Sequence, residues 1–177
     1  MKKDLVVTSA AVTTAAGAGV LATDPDSDWY RELSKPPWQP PSAAFGLVWT
    51  PLYATIAYAS ARALDKAGNK AGNRAGNRAG GKERRAIGAL LGTNLALNSG
   101  WSALFFGAKR PRAALAEIVL LNAANVALAR RLWRTDRPAG ALLLPYLAWT
   151  GFATVLNASI VRRNPRTGAA HDRRSPV

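Results

Sequence analysis

The sequence predicts an all-α integral membrane protein, a bundle of five transmembrane helices. Three observations lead there. Five Ala-rich apolar segments, at 5–22, 43–63, 86–106, 113–132 and 139–161, each match the roughly 20 helical residues that span a hydrocarbon core. Their cores hold almost no charge, and the 24 Lys and Arg gather in short stretches between them. The mean hydropathy of -0.05 is low only because polar connections cancel apolar spans in the average.

A net charge of +14 and a pI near 11.3 would suit a nucleic-acid binder. Here the bases flank apolar segments instead of lining one helix face, which is the pattern of membrane topology, so no nucleic-acid partner is expected. There are no cysteines, which excludes disulfides, thiolate catalysis and Cys-based metal sites. The single histidine, His171, falls in the basic tail at 164–177, read as disordered and separate from a transmembrane domain at 1–163.

In the first segment, Lys2 and Lys3 precede an apolar run, as in a signal peptide. Val20-Leu21-Ala22-Thr23 is a poor small-residue cleavage site, so the segment reads as a retained span. The connection at 24–42 carries Lys35-Pro36-Pro37-Trp38-Gln39-Pro40-Pro41. Paired prolines cannot continue a helix and hold the backbone extended, so this reads as a stiff crossing of the membrane surface, a lid, or a PxxP ligand for another domain. The second segment contains Pro51, expected to bend its helix. Between the second and third lies 64–85, where Ala67-Gly68-Asn69-Lys70 begins a four-residue repeat with regular positive charge, read as a flexible solvated linker. Bases are more numerous on the side of the N-terminus, which favours a cytoplasmic N-terminus.

The third segment places Gly88, Gly92, Ala96 and Gly100 at four-residue intervals. Helices in lipid associate through close packing of small residues, so this stripe meets either a neighbour in the bundle or, the favoured reading, a second subunit in a homodimer. The fourth segment has one acidic residue, Glu117, one turn from its start. A helix-end charge reaching for the interface is favoured over a ligand contact.

Other faces carry aromatic and amide side chains. Asn94, Asn98, Trp101 and Phe105 recur every three or four residues in the third segment, and Tyr146, Trp149, Ala153, Asn157 and Ile160 do so in the fifth. Trp49 and Tyr53 are one turn apart in the second. Singly, a Trp reads as an interface anchor and an Asn as a helix–helix bond. Aligned on three helices, they describe an amphipathic cavity for a flat apolar molecule, rings stacking and amides orienting.

These residues resemble the TspO/MBR family (translocator protein, peripheral benzodiazepine receptor), and its bacterial members in style. The resemblance rests on the Lys35–Pro41 motif with Phe45, Trp49 and Leu52-Tyr53, on Asn98, Trp101 and Phe105-Phe106-Gly107, and on Pro145-Tyr146-Leu147-Ala148-Trp149 with Phe152 to Asn157. It implies a dimeric five-helix membrane bundle that binds protoporphyrin IX and related tetrapyrroles beneath the first connection. Trp49 and Trp149 would face the pocket and Trp38 the lid. It also implies, for some bacterial members, light- and oxygen-dependent porphyrin breakdown involving those two tryptophans. Ala158 and Ser159 stand where animal members have tyrosines of a proposed cholesterol motif, and Ala113 replaces the family's tryptophan at the start of helix four, opening one wall.

Of the common haem axial ligands, only Tyr53, Tyr58 and Tyr146 lie within the spans, so metal-free porphyrin is expected to bind at least as well as haem. Arg31 or Lys35 is placed to meet the propionates. The expected function is a binding protein of the bacterial cell membrane that senses, sequesters or moves porphyrins and requires no cofactor. The ligand set is Trp38, Trp49, Tyr53, Asn98, Trp101, Phe105, Tyr146, Trp149, Ala153 and Asn157. The alternative is an enzyme with Trp49 and Trp149 as redox groups. No paired carboxylates or nucleophile–base pair appear in the spans, which argues against hydrolysis.

Overall fold

The computed structural model of the protein describes residues 1–69 and 74–165, with side chains from 78 onward in the second stretch. All regular structure among them is helical. The helices are α1 (Lys2–Ala22), α2 (Asp28–Glu32), α3 (Ser42–Asn69), α4 (Arg74–Ser102, continued by a π-helical turn at Ala103–Gly107), α5 (Pro111–Thr135), α6 (Arg137–Leu142) and α7 (Leu144–Arg163).

The core is largely apolar, as in a water-soluble bundle, but here the exterior is apolar too. In α1 the buried positions are Thr8, Val12, Ala15 and Gly19, while Val6, Val7, Val20 and Leu21 face outward, Leu21 being 90% exposed. Exposed Leu47, Val119, Leu120 and Val155 continue this apolar exterior on α3, α5 and α7. Inside are polar residues with partners. Thr8 Oγ1 donates to the Ala57 carbonyl on α3 at 2.9 Å, and Ser99 Oγ on α4 donates to the Ala15 carbonyl at 3.0 Å.

Three helical segments, Lys2–Ala22, Pro111–Thr135 and Arg137–Arg163, are long and apolar enough to cross a membrane. The other two expected spans, in α3 and α4, are helical over their full lengths but less apolar. They hold Trp49, Pro51, Tyr53 and Tyr58, and Asn94, Asn98 and Ser99, most of which turn toward other helices and not toward lipid. α3 passes through Pro51 unbroken and packs against α1, α4, α5, α6 and α7.

The ends of the bundle are held differently. At one end, charges pair: the Met1 ammonium with Asp65, Arg84 with Asp4 at 2.6 Å, Arg62 with Asp136, and Arg131 with Glu83 through two bonds of 2.8 and 2.6 Å. Here the structure departs from the linker reading of 64–85. Helix covers 64–69 and 74–85, because Ala, Lys and Arg are strong helix formers and Arg84 ties α4 to the Leu64 carbonyl at 2.7 Å. Gly80 permits the approach: a Cβ there would lie 2.6 Å from the Ala67 carbonyl oxygen. Part of the repeat, at 70–73, lies outside the described residues, as does the tail from 166 on, including His171.

At the other end, the 24–41 connection covers the bundle. Asn164 clamps it: the Ser34 N–H donates to Asn164 Oδ1 at 3.0 Å and Asn164 Nδ2 donates back to the Ser34 carbonyl at 2.9 Å.

Candidate functional site

Two features converge beneath this connection. The first is a box of rings. Trp38, on the proline-rich connection, meets Phe152 of α7 edge-on at 5.8 Å, and Phe45 of α3 meets Trp149 of α7 edge-on at 5.8 Å. Trp149 and Phe152 lie 5.3 Å apart along α7. One turn deeper on α3, Trp49 stacks on Tyr53 at 5.2 Å and touches Tyr146 edge-on at 6.1 Å. Ala153 is one turn beyond Trp149 on α7 and adds no bulk.

The second feature is a hydrogen-bond chain that runs in one donor direction through four helices. Tyr53 donates to Asn98 Oδ1 (2.8 Å), Asn98 Nδ2 to the Tyr146 hydroxyl (3.0 Å), and Tyr146 to Asn94 Oδ1 (3.3 Å). Asn94 donates to Asn125 Oδ1, and Asn125 Nδ2 to Thr150 Oγ1 (2.9 Å). Thr150 donates to Asn122 Oδ1 (2.9 Å), and Asn122 Nδ2 to Thr154 Oγ1 (2.8 Å). Each bond polarises the next, and each satisfies a group that would be costly alone in a low dielectric.

The amides expected to orient a ligand are therefore engaged with one another. Asn98 and Tyr146 are buried in the chain. Asn157 is buried too: with its amide turned to satisfy both ends, it donates to the Pro111 carbonyl at 3.2 Å and accepts from the Leu115 N–H at 3.0 Å, bracing the first turn of α5. Asn122, Asn125 and Thr150 are members that sequence reasoning missed. Their signal was present, two amides three residues apart in the middle of the fourth span.

Trp101 and Phe105 belong to a second cluster, against which Phe45 and Phe152 of the ring box also pack. Trp101 and Phe105 stack at 5.0 Å, and Phe105 also meets Trp29 (5.7 Å) and Tyr30 (6.3 Å) from α2. The π-helical turn makes this possible, its wider winding marked by the Ala108 N–H bonding the Ala103 carbonyl at 2.7 Å. Phe106 is thereby brought to 5.2 Å from Tyr30. These rings anchor the connection.

The two candidate propionate partners differ. Arg31 pairs with Asp28 at 2.5 Å in an exposed ion pair. Lys35 lies 4.4 Å above the Tyr30 ring, with its pKa lowered by desolvation. Burial raises the Tyr30 phenol, and the hydrogen bond from Gln39 partly offsets this.

A few buried polar atoms have no partner among the described residues, including Trp149 Nε1, Gln39 Oε1 and both carboxylate oxygens of Glu117. Glu117 thus departs from the interface reading: it is 8% exposed and faces Gly100, whose added Cβ would lie 4.0 Å from its Oε1. The rest of the small-residue stripe faces outward. Gly88, Gly92 and Ala96 are exposed, and a Cβ at either glycine would meet nothing within 4 Å.

Comparison with known proteins agrees with this architecture. Residues 6–163 match the TspO/MBR family. The chain is 38% identical over 150 residues to the tryptophan-rich protein TspO of Chlorobaculum tepidum, covering 84% of this chain and 87% of that protein. It is 34% identical over 158 residues to the tryptophan-rich sensory protein of Cereibacter sphaeroides (86% and 90%). It is 35% identical over 136 residues to the translocator protein of Homo sapiens (77% and 75%).

Proposed function

The chain belongs to the TspO/MBR family and is a multi-pass integral membrane protein; on that premise we propose that it binds a tetrapyrrole of the protoporphyrin IX type inside the bundle, to sense, sequester or move it. The observation that carries this reading is the Trp149 indole N–H, a buried donor without an acceptor in a box of Trp38, Phe45 and Phe152. A flat conjugated ring system fits such walls, and a carboxylate or carbonyl on its rim would satisfy the donor. The phenols of Tyr53 and Tyr146 are committed to amides, which favours recognition by stacking over ligation of a metal. On the same proposal α3 and α4 also cross the bilayer, giving five spans in a bacterial cell membrane. Two chains pair through Gly88, Gly92, Ala96 and the neighbourhood of Gly100.

The test is quenching of tryptophan fluorescence by protoporphyrin IX in detergent-solubilised protein, in darkness. Wild type should show saturable binding. Trp149→Phe keeps a ring but loses the donor and should bind about tenfold more weakly. Trp49→Phe should also weaken binding. No saturation at micromolar porphyrin would remove the proposal.

The enzymatic reading uses the same pocket. Trp49 stacked on Tyr53 is an indole–phenol contact suited to passing an oxidising equivalent between rings. Light-driven loss of porphyrin absorbance in wild type, absent in Trp49→Phe and Trp149→Phe, would favour it.

A further inference from the structure

Outside the bundle, beside the second half of α7, lies a groove of about 610 Å³. The Trp38 indole, 45% exposed, stands on one side, and Thr154, Val155, Ala158 and Ser159 line the other, with the Thr154 hydroxyl turned to the Thr150 carbonyl and Arg162 and Arg163 where the helix ends. Its walls change character along their length. Val155 is 60% exposed in the apolar zone of the helix, and Ala158 is too small to fill the space above it. Seven residues separate Val155 from Arg162, about 10 Å of helix. The groove therefore runs from the membrane's apolar depth to a doubly cationic end.

Those two guanidinium groups differ from others at helix ends. Arg62, Arg84 and Arg131 each pair with a carboxylate. Among the described residues no carboxylate lies within ion-pair distance of Arg162 or Arg163, and both are exposed. The bond of Arg163 is a long one of 3.4 Å from Nε to Ser159 Oγ, which leaves its terminal nitrogens available. A compact soluble anion would use only the cationic end and leave the apolar length bare. The match to both ends is an amphiphile with one long apolar arm and a negative head at the bilayer surface.

We propose that this groove is a binding site for an anionic glycerophospholipid, with an acyl chain along Val155 and Ala158 beneath Trp38 and the phosphate held by Arg162 and Arg163. Basic side chains at the bilayer surface select anionic headgroups, and a neighbouring indole sits at headgroup depth. Because Trp38 belongs to the connection that roofs the bundle, a lipid lodged here also props that roof from outside. The groove shares Trp38 with the ring box, but its other lining residues lie outside the box, so the site does not depend on a tetrapyrrole binding there.

The test is fluorescence of the full chain reconstituted in phosphatidylcholine bilayers into which dibrominated phosphatidylglycerol or dibrominated phosphatidylcholine is titrated. Bromine quenches only indoles it touches, and the difference between wild type and Trp38→Phe isolates Trp38. The expected result is half-maximal Trp38 quenching at a mole fraction of the anionic lipid on the order of tenfold lower than of the zwitterionic one. Arg162→Gln with Arg163→Gln should erase that preference, and Ala158→Leu, which fills the groove, should reduce quenching by both lipids. Circular dichroism verifies that each variant keeps its helices, and Val6→Leu on the exposed face of α1 serves as the control that changes nothing. Equal quenching by the two lipids in wild type would mean ordinary boundary lipid and would overturn the proposal. So would loss of the anionic-lipid preference on adding protoporphyrin IX that persists in Trp149→Phe, since the groove would then belong to the tetrapyrrole.

Discussion

Tyr146→Phe removes one oxygen from the middle of the interior chain and leaves the ring in place. Two bonds go together: Asn98 Nδ2 loses its acceptor at 3.0 Å, and Asn94 Oδ1 loses its donor at 3.3 Å. Both amides are buried, and the edge contact of the ring with Trp49 survives. A buried polar group left without a partner costs about 1–3 kcal/mol in water-soluble folds. Interhelical bonds in membranes average nearer to about 0.6 kcal/mol, because the loosened helices find other partners. The longer of the two bonds contributes least, so the expected loss is about 1–3 kcal/mol in total, about 5- to 150-fold in the unfolding equilibrium. Tyr53→Phe cuts one bond at the head of the chain and should cost about 0.5–1 kcal/mol. Reversible unfolding in mixed micelles, followed by circular dichroism, measures both, and the double variant should cost less than the sum because the bonds share Asn98. A Tyr146→Phe effect within about 0.5 kcal/mol of zero, or a larger cost for Tyr53→Phe, would refute the idea that this chain ties α3, α4, α5 and α7 together.

Three further outcomes are expected. Gly80→Ala should lower thermal stability by about 1–3 kcal/mol although Ala is the better helix former, since its Cβ would meet the Ala67 carbonyl oxygen at 2.6 Å; Gly88→Ala, whose Cβ meets nothing, should be neutral or stabilising in the isolated protomer. The hydrogen bond from the Met1 ammonium holds the Asp65 carboxyl below its ordinary 3.8. With its folded pKa below the unfolded one, Asp65 stabilises the fold above about pH 4, and that contribution disappears as pH falls through the folded value, so the melting-temperature gap between wild type and Asp65→Asn should close in acid. On the proposed pairing through the small-residue stripe, wild type should scatter light as a dimer and Gly92→Leu as a folded monomer, whereas Gly100→Leu should destabilise the protomer itself by crowding Glu117; a Gly92→Leu protein that stays dimeric would place the subunit contact elsewhere.

Much of the helical layout was legible because membrane length and absence of charge are strong, local signals. What the sequence concealed was where polar groups find partners. The Gly-rich repeat read as linker because Gly and Asn are weak helix formers one by one. The helix of its described residues, at 67–69 and 74–82, is held by long-range contacts, Arg84 with Asp4 and Gly80 against Ala67, that no local pattern encodes. Glu117 read as an interface charge because helix position alone does not reveal that Gly100 stands across from it. The aromatic alignment on α3 and α7 was visible as spacing, and the structure does bring Trp49 and Tyr53 to Tyr146. The spacing did not reveal that Phe105, inside the π-helical turn, packs against Trp29 and Tyr30 of α2 while Trp101 stacks on it, in a cluster that Phe45 and Phe152 join.

The interior is divided, and the division constrains how any ligand is held. Below Tyr53, from Asn98 through Tyr146 and Asn94 to Asn125, donors and acceptors satisfy one another, so a ligand reaching Asn98 or Asn125 must break bonds already made and repay them with its own polar groups. The end of the chain at Thr150, Asn122 and Thr154 continues along α7 to the level of Phe152. Above Tyr53, the walls are the rings of Trp38, Phe45, Trp49, Trp149 and Phe152, with one donor unsatisfied and Gln39 Oε1 unsatisfied in the connection that roofs them. There a ligand gains stacking surface and a hydrogen bond without dismantling anything. On the tetrapyrrole proposal the macrocycle lies in this upper half, its rim acceptor toward Trp149. The amide chain then acts as a rigid floor that sets depth and fixes the helix spacing on which the ring box depends. Its loss in Tyr146→Phe should weaken porphyrin binding only as far as it loosens the bundle, whereas Trp149→Phe should weaken binding with stability unchanged. That opposite pairing of stability and affinity separates floor from wall.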